Sequence, residues 1–512
     1  MHKQHAQPDQ PDSQQTIPSH SDQHGPFHRL LLPQSPFLAR LGLQYHRPAE
    51  RDLPPVMVAM LPVRFFPPPP LALFEVFHLS LNHHPRSMPS AARLSTGTLS
   101  LPLAGRTVHL GSVGGYEPTL TPIEITVAQM NKVRIGIIGM GNMGKFHADY
   151  LLNHKVSRAE LTAVSDAFPS SLENYKQLKT FERSEDLIRC GAVDAVIIAT
   201  PHYLHTSIGI DALQSSLHVL VEKPISVHKA DCERLMAAHQ NPKQVFAAMF
   251  QQRTEPKYKK IKRLIQDGEL GAMVRVSWII TDWFRAESYY ASGGWRATWK
   301  GEGGGVLLNQ CPHNLDMMCW LCGRPDRVRG FCQLGRYHNI EVEDNVTAYF
   351  EYASGATGVF ITSTGEAPGS NRLEICGERG KIVLENNKIA FTRNEVSMTE
   401  FCKTSKAGFA KPGVWNVDVP FDGNGGNHYE ITQNFVDAIL DGTPLLAPAS
   451  EGTQSVEMAN AILFSSLTGQ TVPLPLDGQA YEQRLNQLIA ESRFEKNVIT
   501  TAGEDFTKSF NR

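Results

Sequence analysis

The residues of this 512-residue chain best suited to move a proton lie in two short segments. Lys223 stands between Glu222 and Pro224, directly after a short apolar run. An ordinary lysine, with a pKa of about 10.4, is a poor base near neutrality. Burial beside another positive charge would lower that pKa, because both effects disfavour the ammonium form. We therefore expect Lys223 to be a catalytic acid/base.

The second segment follows a glycine-rich stretch at Gly301–Gly305 and contains Asn309, His313 and Asp316. If this segment were helical throughout, the three side chains would share one face, because they are four and then three residues apart. They could then present an amide, an imidazole and a carboxylate to one ligand. Pro312 cannot donate to a helix ladder, so the alternative is a helix that begins or kinks there.

A glycine motif precedes both segments. A Val- and Ile-rich strand, predicted over 132–139, runs into a turn, and a helix is predicted over 145–154. In this setting Gly139 permits a tight turn, Gly141 lets the backbone approach a pyrophosphate, and Gly144 lets helix and strand pack closely. The helix N-terminus then offers free N–H groups to the phosphates. The pattern predicts a dinucleotide site formed by Gly139, Met140, Gly141, Asn142, Met143 and Gly144.

An acidic residue, Asp166, ends the next predicted strand, over 160–165. A carboxylate there can accept hydrogen bonds from the adenosine ribose hydroxyls and would repel a 2′-phosphate. No arginine occupies the three following positions. The sequence therefore predicts NAD as the cofactor and disfavours NADP, and the cation beside Lys223 would be the nicotinamide ring.

Strands and helices continue to alternate as far as residue 221, which is typical of a doubly wound parallel sheet. Ligands of such sheets bind at the carboxyl ends of the strands. We therefore expect further cofactor contacts from the residues after two of these ends, namely Thr200, Pro201, His202, His205, Glu222 and Lys223.

Residues 272–425 contain short runs of Val, Ile, Phe and Tyr with turn residues between them, which indicates an antiparallel sheet. The predicted fold class is thus α/β: an N-terminal doubly wound parallel sheet followed by a domain with an antiparallel sheet. Three helices are predicted between 429 and 488. An aromatic and basic loop precedes the glycine stretch, and aromatic faces and arginine forks suit sugar rings, hydroxyls and carboxylates. From this loop we expect substrate contacts by Arg285, Tyr290, Arg296 and Trp299, together with Asn309 and Asp316.

These motifs, in this order, resemble the glucose-fructose oxidoreductase/inositol dehydrogenase/MocA family over roughly residues 132–495. The resemblance is carried by Gly139–Gly144, Ala199-Thr200-Pro201 with His205, Glu222-Lys223-Pro224, and Gly303 through His313 and Asp316. It implies an N-terminal Rossmann domain followed by a larger α+β domain with an open, mostly antiparallel sheet. Such a sheet is often used for oligomerisation in the family, hence we expect a homodimer or homotetramer. It also implies that Lys223 and His313 are the acid/base pair. The chain departs from the family at Asn309, where many members have Asp, and at His202, where Asn is frequent.

The first 129 residues differ from the rest: they hold 19 of the 33 prolines and 10 of the 20 histidines. We expect a low-order Pro/His-rich extension over 1–129, with Met130 as an alternative start of the protein. Beyond it we expect an NAD-binding domain over 130–250, a substrate and oligomerisation domain over 251–495, and a tail over 496–512.

The net charge of −2 provides no electrostatic attraction to nucleic acid or an anionic membrane, and no apolar run is long enough to span a bilayer. The eight cysteines form no disulfide framework or zinc pattern, so we expect a cytoplasmic protein without a metal.

The leading functional hypothesis is hydride transfer between nicotinamide and a hydroxyl or carbonyl of a small-molecule substrate, a sugar, polyol or cyclitol. The alternatives are redox-assisted cleavage of a glycosidic bond, reduction of an imine or carbonyl, and a non-catalytic regulator that binds NAD. A regulator would not need both Lys223 and His313.

Overall fold

The computed structural model describes residues 132–498 and two short strands upstream, β1 (Leu99–Leu103) and β2 (Arg106–Leu110), which pair antiparallel. The chain divides into two compact units, Met1–Thr119 and Leu120–Arg512. The hairpin belongs to the first unit. The rest of the predicted extension, and residues 499–512 of the predicted tail, lie outside the described residues.

The first sheet of the second unit has six parallel strands, as predicted, in the order β5-β4-β3-β6-β7-β8. Its strands are nearly continuous apolar runs, because both faces of a parallel sheet are buried. The strand order reverses at β3, which places a ligand crevice beside the carboxyl ends of β3 and β6. The strands are β3 (Val133–Ile138), β4 (Ala159–Ser165), β5 (Lys179–Phe181), β6 (Ala195–Ile198), β7 (His218–Val221) and β8 (Phe246–Ala248).

Helices connect these strands as crossovers. They are α1 (Asn142–Leu152), α2 (Ser184–Ile188), α3 (His202–Gln214) and α4 (Lys229–Ala238). Both α1 and α3 start within a few residues of a strand end, so their N-termini face the crevice, as the glycine motif and Thr200-Pro201 predicted.

The second sheet is mixed and mostly antiparallel, in the order β16-β15-β14-β13-β9-β12-β11-β10-β17, and only β9 and β12 run parallel. This confirms the predicted open sheet. Its strands are β9 (Met273–Ile280), β10 (Arg327–Leu334), β11 (Glu343–Glu351), β12 (Thr357–Ser363), β13 (Asn371–Gly377), β14 (Gly380–Glu385), β15 (Lys388–Asn394), β16 (Val414–Val419) and β17 (Val472–Pro473).

Helices cover one face of this sheet, where α10 packs against β10 and against α7, and α5 packs against α7. Three of them form the predicted C-terminal helical part. Within residues 132–498, none of the helices combines the length and apolar character that crossing a membrane requires. The helices are α5 (Pro256–Gln266), α6 (Glu287–Ala291), α7 (Pro312–Cys322), α8 (Met398–Thr404), α9 (His428–Asp441), α10 (Ala449–Thr468) and α11 (Gly478–Glu491).

Candidate active site

The glycine loop between β3 and α1 has the backbone that a bound pyrophosphate requires. Gly139 has a φ of +92°, and a Cβ there would approach the Ala199 carbonyl oxygen to 2.7 Å. A Cβ on Gly144 would lie 1.8 Å from the Gly139 carbonyl oxygen, so the helix can approach the loop this closely only because residue 144 has no side chain. A Cβ on Gly141 would meet nothing within 4 Å, and no side chain caps α1. The loop thus fits a dinucleotide, with open space and free N–H groups where phosphates bind.

Asp166, at the end of β4, is tied to this loop. Its Oδ2 accepts a hydrogen bond from the Met140 amide at 2.6 Å, and its Oδ1 accepts one from the Phe168 amide at 2.8 Å. Each carboxylate oxygen has a second lone pair, so both can still accept from a ribose hydroxyl. Asp166 therefore shapes the glycine loop in addition to the role expected from the sequence.

Glu222 lies at the buried end of β7 and organises a chain of hydrogen bonds. Its Oε1 is 2.8 Å from His147 Nε2, and its Oε2 accepts from the Lys223 amide at 3.1 Å. The other nitrogen of His147 is 2.6 Å from the Tyr150 hydroxyl, which is 2.7 Å from the Thr432 hydroxyl on α9. Burial is the largest single effect and raises the pKa of Glu222. The hydrogen bond and charge of His147, together with the charges of His428 and Lys223, outweigh it and lower that pKa to about 2. Glu222 is thus a permanent anion near Lys223.

His205, on α3, bridges two strand ends. Its Nε2 is 2.7 Å from the Thr200 carbonyl oxygen and its Nδ1 is 2.8 Å from the Pro224 carbonyl oxygen. Burial lowers the pKa of His205, although both carbonyls favour its protonated form. His205 therefore holds the crevice walls together. His202 is also buried, with its ring 5.6 Å from that of Trp295.

Lys223 extends from the end of β7 toward the loop after the glycine stretch, where its Nζ donates to the Asn309 carbonyl oxygen at 3.1 Å. Burial lowers the pKa of Lys223, and the charges of Arg296 and Arg285 act in the same direction, while Glu222 and Glu302 oppose them. The amine form is therefore more accessible near neutrality than in a free lysine.

The segment carrying Asn309 and His313 is not one helix, because α7 begins at Pro312, and the residues before it form turns. The sequence left open a helix throughout this segment or one that begins or kinks at Pro312, and the helix begins at Pro312. The Asn309 side chain donates to the buried Glu302 carboxylate and accepts from the Tyr289 hydroxyl at 3.1 Å. Burial raises the pKa of Glu302, which also accepts from the Ala297 amide at 2.6 Å.

His313 lies in the first turn of α7 and is buried. Its Nε2 is 3.5 Å from the Gln251 side-chain nitrogen, and its Nδ1 has no hydrogen-bond partner among the described residues. Burial lowers the pKa of His313 well below its ordinary value, and the charge of Lys223 adds to this effect. The imidazole is therefore neutral near pH 7 and can bond to a ligand.

Asp316 is placed differently from the expected substrate contact. Its carboxylate forms a buried, two-point ion pair with Arg253, with distances of 2.8 Å to Nε and 2.6 Å to Nη2. Arg253 also pairs with Glu451 on α10. The turn at Pro312 removes Asp316 from the side of Asn309, so we reassign Asp316 from substrate contact to packing.

Two aromatic residues of the predicted substrate loop also lie elsewhere. Tyr290 is buried, donates to the Thr364 hydroxyl at 2.7 Å and packs against His338. Trp299 is buried in the core of the second sheet. We correct both expectations: the neighbouring Tyr289, whose ring packs against Arg285 and Arg296, contacts the cavity instead.

A cavity of about 1500 Å³, called the substrate cavity below, brings together some of the polar groups described above. The acid/base candidates and the basic loop meet there. Its walls include Asn142, Lys223, Gln251, Arg285, Tyr289, Arg296, Asn309, Gln310 and His313.

The site residues predicted from the sequence did not include Glu302, Gln251 or Gln310, nor Tyr289, although Tyr289 belongs to the predicted substrate loop. Glu302 stands inside the glycine stretch, where a charged residue among four glycines was a usable signal. Gln251 follows β8, and the same strand-end rule that indicated Lys223 would have indicated it.

Two family descriptions match this chain. The oxidoreductase family with an NAD-binding Rossmann fold matches residues 133–250, and the GFO/IDH/MocA C-terminal domain matches residues 258–383. Together with the fold and the strand-end lysine, these matches show that the chain belongs to the Gfo/Idh/MocA family of NAD-binding oxidoreductases.

Curated relatives are similar over different lengths. Inositol 2-dehydrogenase of Corynebacterium glutamicum is 28% identical over 37% of this chain, and the match spans 54% of that enzyme, about half its length. Levoglucosan dehydrogenase of Pseudarthrobacter phenanthrenivorans is 25% identical over 68% of this chain and 99% of that enzyme.

Among solved structures, the WlbA dehydrogenase of Bordetella pertussis in complex with NADH and UDP-GlcNAcA is 26% identical, with a TM-score of 0.58. The alignment covers 68% of this chain and 100% of that one.

Proposed function

We propose that this protein transfers a hydride between NAD and a ring hydroxyl or carbonyl of a sugar or cyclitol. The observation that carries the proposal is that Lys223 and His313, from separate parts of the chain, line one cavity beside the carboxyl ends of the parallel sheet. The activities named for inositol 2-dehydrogenase and levoglucosan dehydrogenase support this substrate class.

Nicotinamide, when bound, would exchange the hydride with the substrate carbon. Oxidation of an alcohol also releases the hydroxyl proton, and the Lys223 amine is the group we assign to accept it. The Asn309 carbonyl holds the Lys223 side chain in place, and the lowered pKa makes the amine form available. The neutral His313 imidazole is the second member of the acid/base pair. We assign it a hydrogen bond to the oxygen of the same substrate hydroxyl. In the reverse direction the Lys223 ammonium donates the proton.

The chain presents an exposed apolar sheet face that supports the proposed homodimer or homotetramer. Phe331 of β10 and Tyr349 of β11 lie on the same side of their strand pair and are both exposed. Light scattering on a sizing column tests this part, and a monomer at micromolar concentration would contradict it.

The central experiment is NADH formation by the purified full chain across a panel of inositols, aldoses, anhydrosugars and linear polyols. Oxidation of at least one ring compound is expected, and Lys223→Met should reduce it at least about a hundredfold. Turnover by this variant near that of wild type would show that Lys223 does not accept the proton. Cleavage of a nitrophenyl glycoside without net NADH would favour redox-assisted bond cleavage, and reduction of imines alone would also overturn the proposal.

A further inference from the structure

Two arginines of the loop before the glycine stretch stack on one tyrosine in the wall of the substrate cavity. The Cζ atoms of Arg285 and Arg296 lie 5.1 Å and 4.5 Å from the centre of the Tyr289 ring. Arg285 also lies over Trp283 and Arg296 over Trp295, at 5.4 Å and 4.7 Å. Stacking on two rings each restrains both guanidinium groups, so little rotamer entropy remains to be lost when they bind a ligand.

The charge of the buried Glu302 acts on Arg296, but no acid forms a direct contact with either arginine in the described structure. Among residues 132–498 neither forms an ion pair, whereas Arg253, Arg275 and Arg372 all do. Arg285 donates to the Phe284 carbonyl, and Arg296 donates to the Tyr289 hydroxyl at 2.8 Å. The buried Nε of Arg296 has no hydrogen-bond partner in that range of residues.

Two of the three acids that line the substrate cavity are paired with other cations. Glu255 is paired with Lys257 at 2.6 Å, and Glu385 is paired with Arg372 at 2.7 Å. Lys223 adds a third cation to the same cavity. The two stacked arginines therefore offer N–H donors that no carboxylate of the described structure occupies. An anionic substituent would accept from these donors in stronger bonds than a neutral hydroxyl would.

We propose that the substrate carries an anionic substituent, a carboxylate or a phosphate monoester, which Arg285 and Arg296 bind while Lys223 and His313 face the reacting hydroxyl. This inference rests on the proposed function and narrows it to sugar acids or sugar phosphates. The planar guanidinium fork matches the two oxygens of a carboxylate or phosphate, and such charge-assisted bonds are about twice as strong as neutral ones.

The first test compares matched substrates with the full chain and NAD. Glucose, glucuronate and glucose 6-phosphate form one set, and the galactose and mannose counterparts form two more. At least one anionic member should have a kcat/KM about tenfold or more above that of its neutral counterpart, consistent with one additional charge-assisted hydrogen bond. Comparing the sugar acid with the sugar phosphate in each set shows whether the arginines bind a carboxylate or a phosphate.

The second test changes the arginines. Arg285→Gln and Arg296→Gln should each raise KM for the preferred anionic substrate about tenfold, with KM for its neutral counterpart changed less than about threefold. Arg296→Lys keeps the positive charge but loses the planar guanidinium fork. Its KM for the anionic substrate should lie between those of wild type and Arg296→Gln. Arg263→Gln on the exposed face of α5 is the matched control and should leave both constants unchanged.

Calorimetric binding of glucuronate and glucose 6-phosphate to the NAD-loaded protein separates this inference from the proposed function. Neutral sugars oxidised as well as anionic ones would overturn the inference and leave the function standing. Binding of an anionic sugar that the Gln variants lose, with no sugar oxidised, would uphold the inference and overturn the function. If no anionic sugar is bound and none is oxidised, the inference is overturned.

Discussion

The Lys223 ammonium donates a hydrogen bond to the backbone carbonyl of Asn309 at 3.1 Å, although the two residues are 86 positions apart in the chain. The contact joins the end of β7 to the turn before α7. A backbone carbonyl cannot titrate, so it orients the lysine without fixing its protonation state. The charges of Glu222 and Glu302, and the burial that opposes them, set that state.

Lys223→Met should reduce kcat/KM at least about a hundredfold, because general acid–base catalysis contributes about 10² to 10⁴ in rate. The affinity for NAD should stay within about threefold, since methionine has a similar length. Steady-state kinetics and calorimetric NAD titration measure the two effects. Lys243→Met, at an exposed site, is the control. Turnover near wild type would remove Lys223 from the mechanism.

Glu302→Gln should move the acidic limb of the pH–rate profile to lower pH. The Glu302 carboxylate raises the pKa of Lys223, so its removal lowers that pKa further. The amine form of Lys223 then persists to lower pH. The check is kcat/KM against pH for wild type and variant, with Glu160→Gln on the exposed side of β4 as the control. A limb that stays in place would show that Glu302 does not influence the titrating group.

Asp166→Ser combined with Ala167→Arg should raise the ratio of kcat/KM for NADP over NAD at least about tenfold. The change removes the repulsive carboxylate and adds a phosphate partner. Because Asp166 also holds the Met140 amide, NAD affinity should fall in the same variant. Kinetics with both cofactors provide the comparison. An unchanged ratio would mean that Asp166 acts only on the loop.

Asp316→Asn should destabilise the protein by about 3 kcal/mol, because the buried Arg253 loses its two-point ion pair and keeps Glu451 as its remaining charged partner. Asp194→Asn breaks a partly exposed pair with Arg134 and should cost about 1 kcal/mol or less. Urea unfolding of both variants tests the difference. Unchanged stability with a raised substrate KM would return Asp316 to the role expected from the sequence.

The features that the sequence determined by itself are those that depend only on residues close together in the chain. The glycine motif, the alternation of apolar strands and helices, and the position of Lys223 after a strand all depend on neighbouring residues. The backbone freedom of Gly139 and the close approach at Gly144 are properties of those residues in that turn. The dinucleotide fold and its lysine were therefore predictable.

Only the tertiary structure decided which polar groups share the substrate cavity. Spacing placed Asn309, His313 and Asp316 on one face, but the helix starts at Pro312, and Asp316 pairs with Arg253 from a distant segment. Likewise Tyr289, and not Tyr290, faces the cavity, because the direction of a side chain in an irregular loop depends on the elements it packs against. The adjacent Glu222 acts on the pKa of Lys223, but burial and the charges of Glu302, Arg296 and Arg285 also set it, and these depend on the tertiary structure.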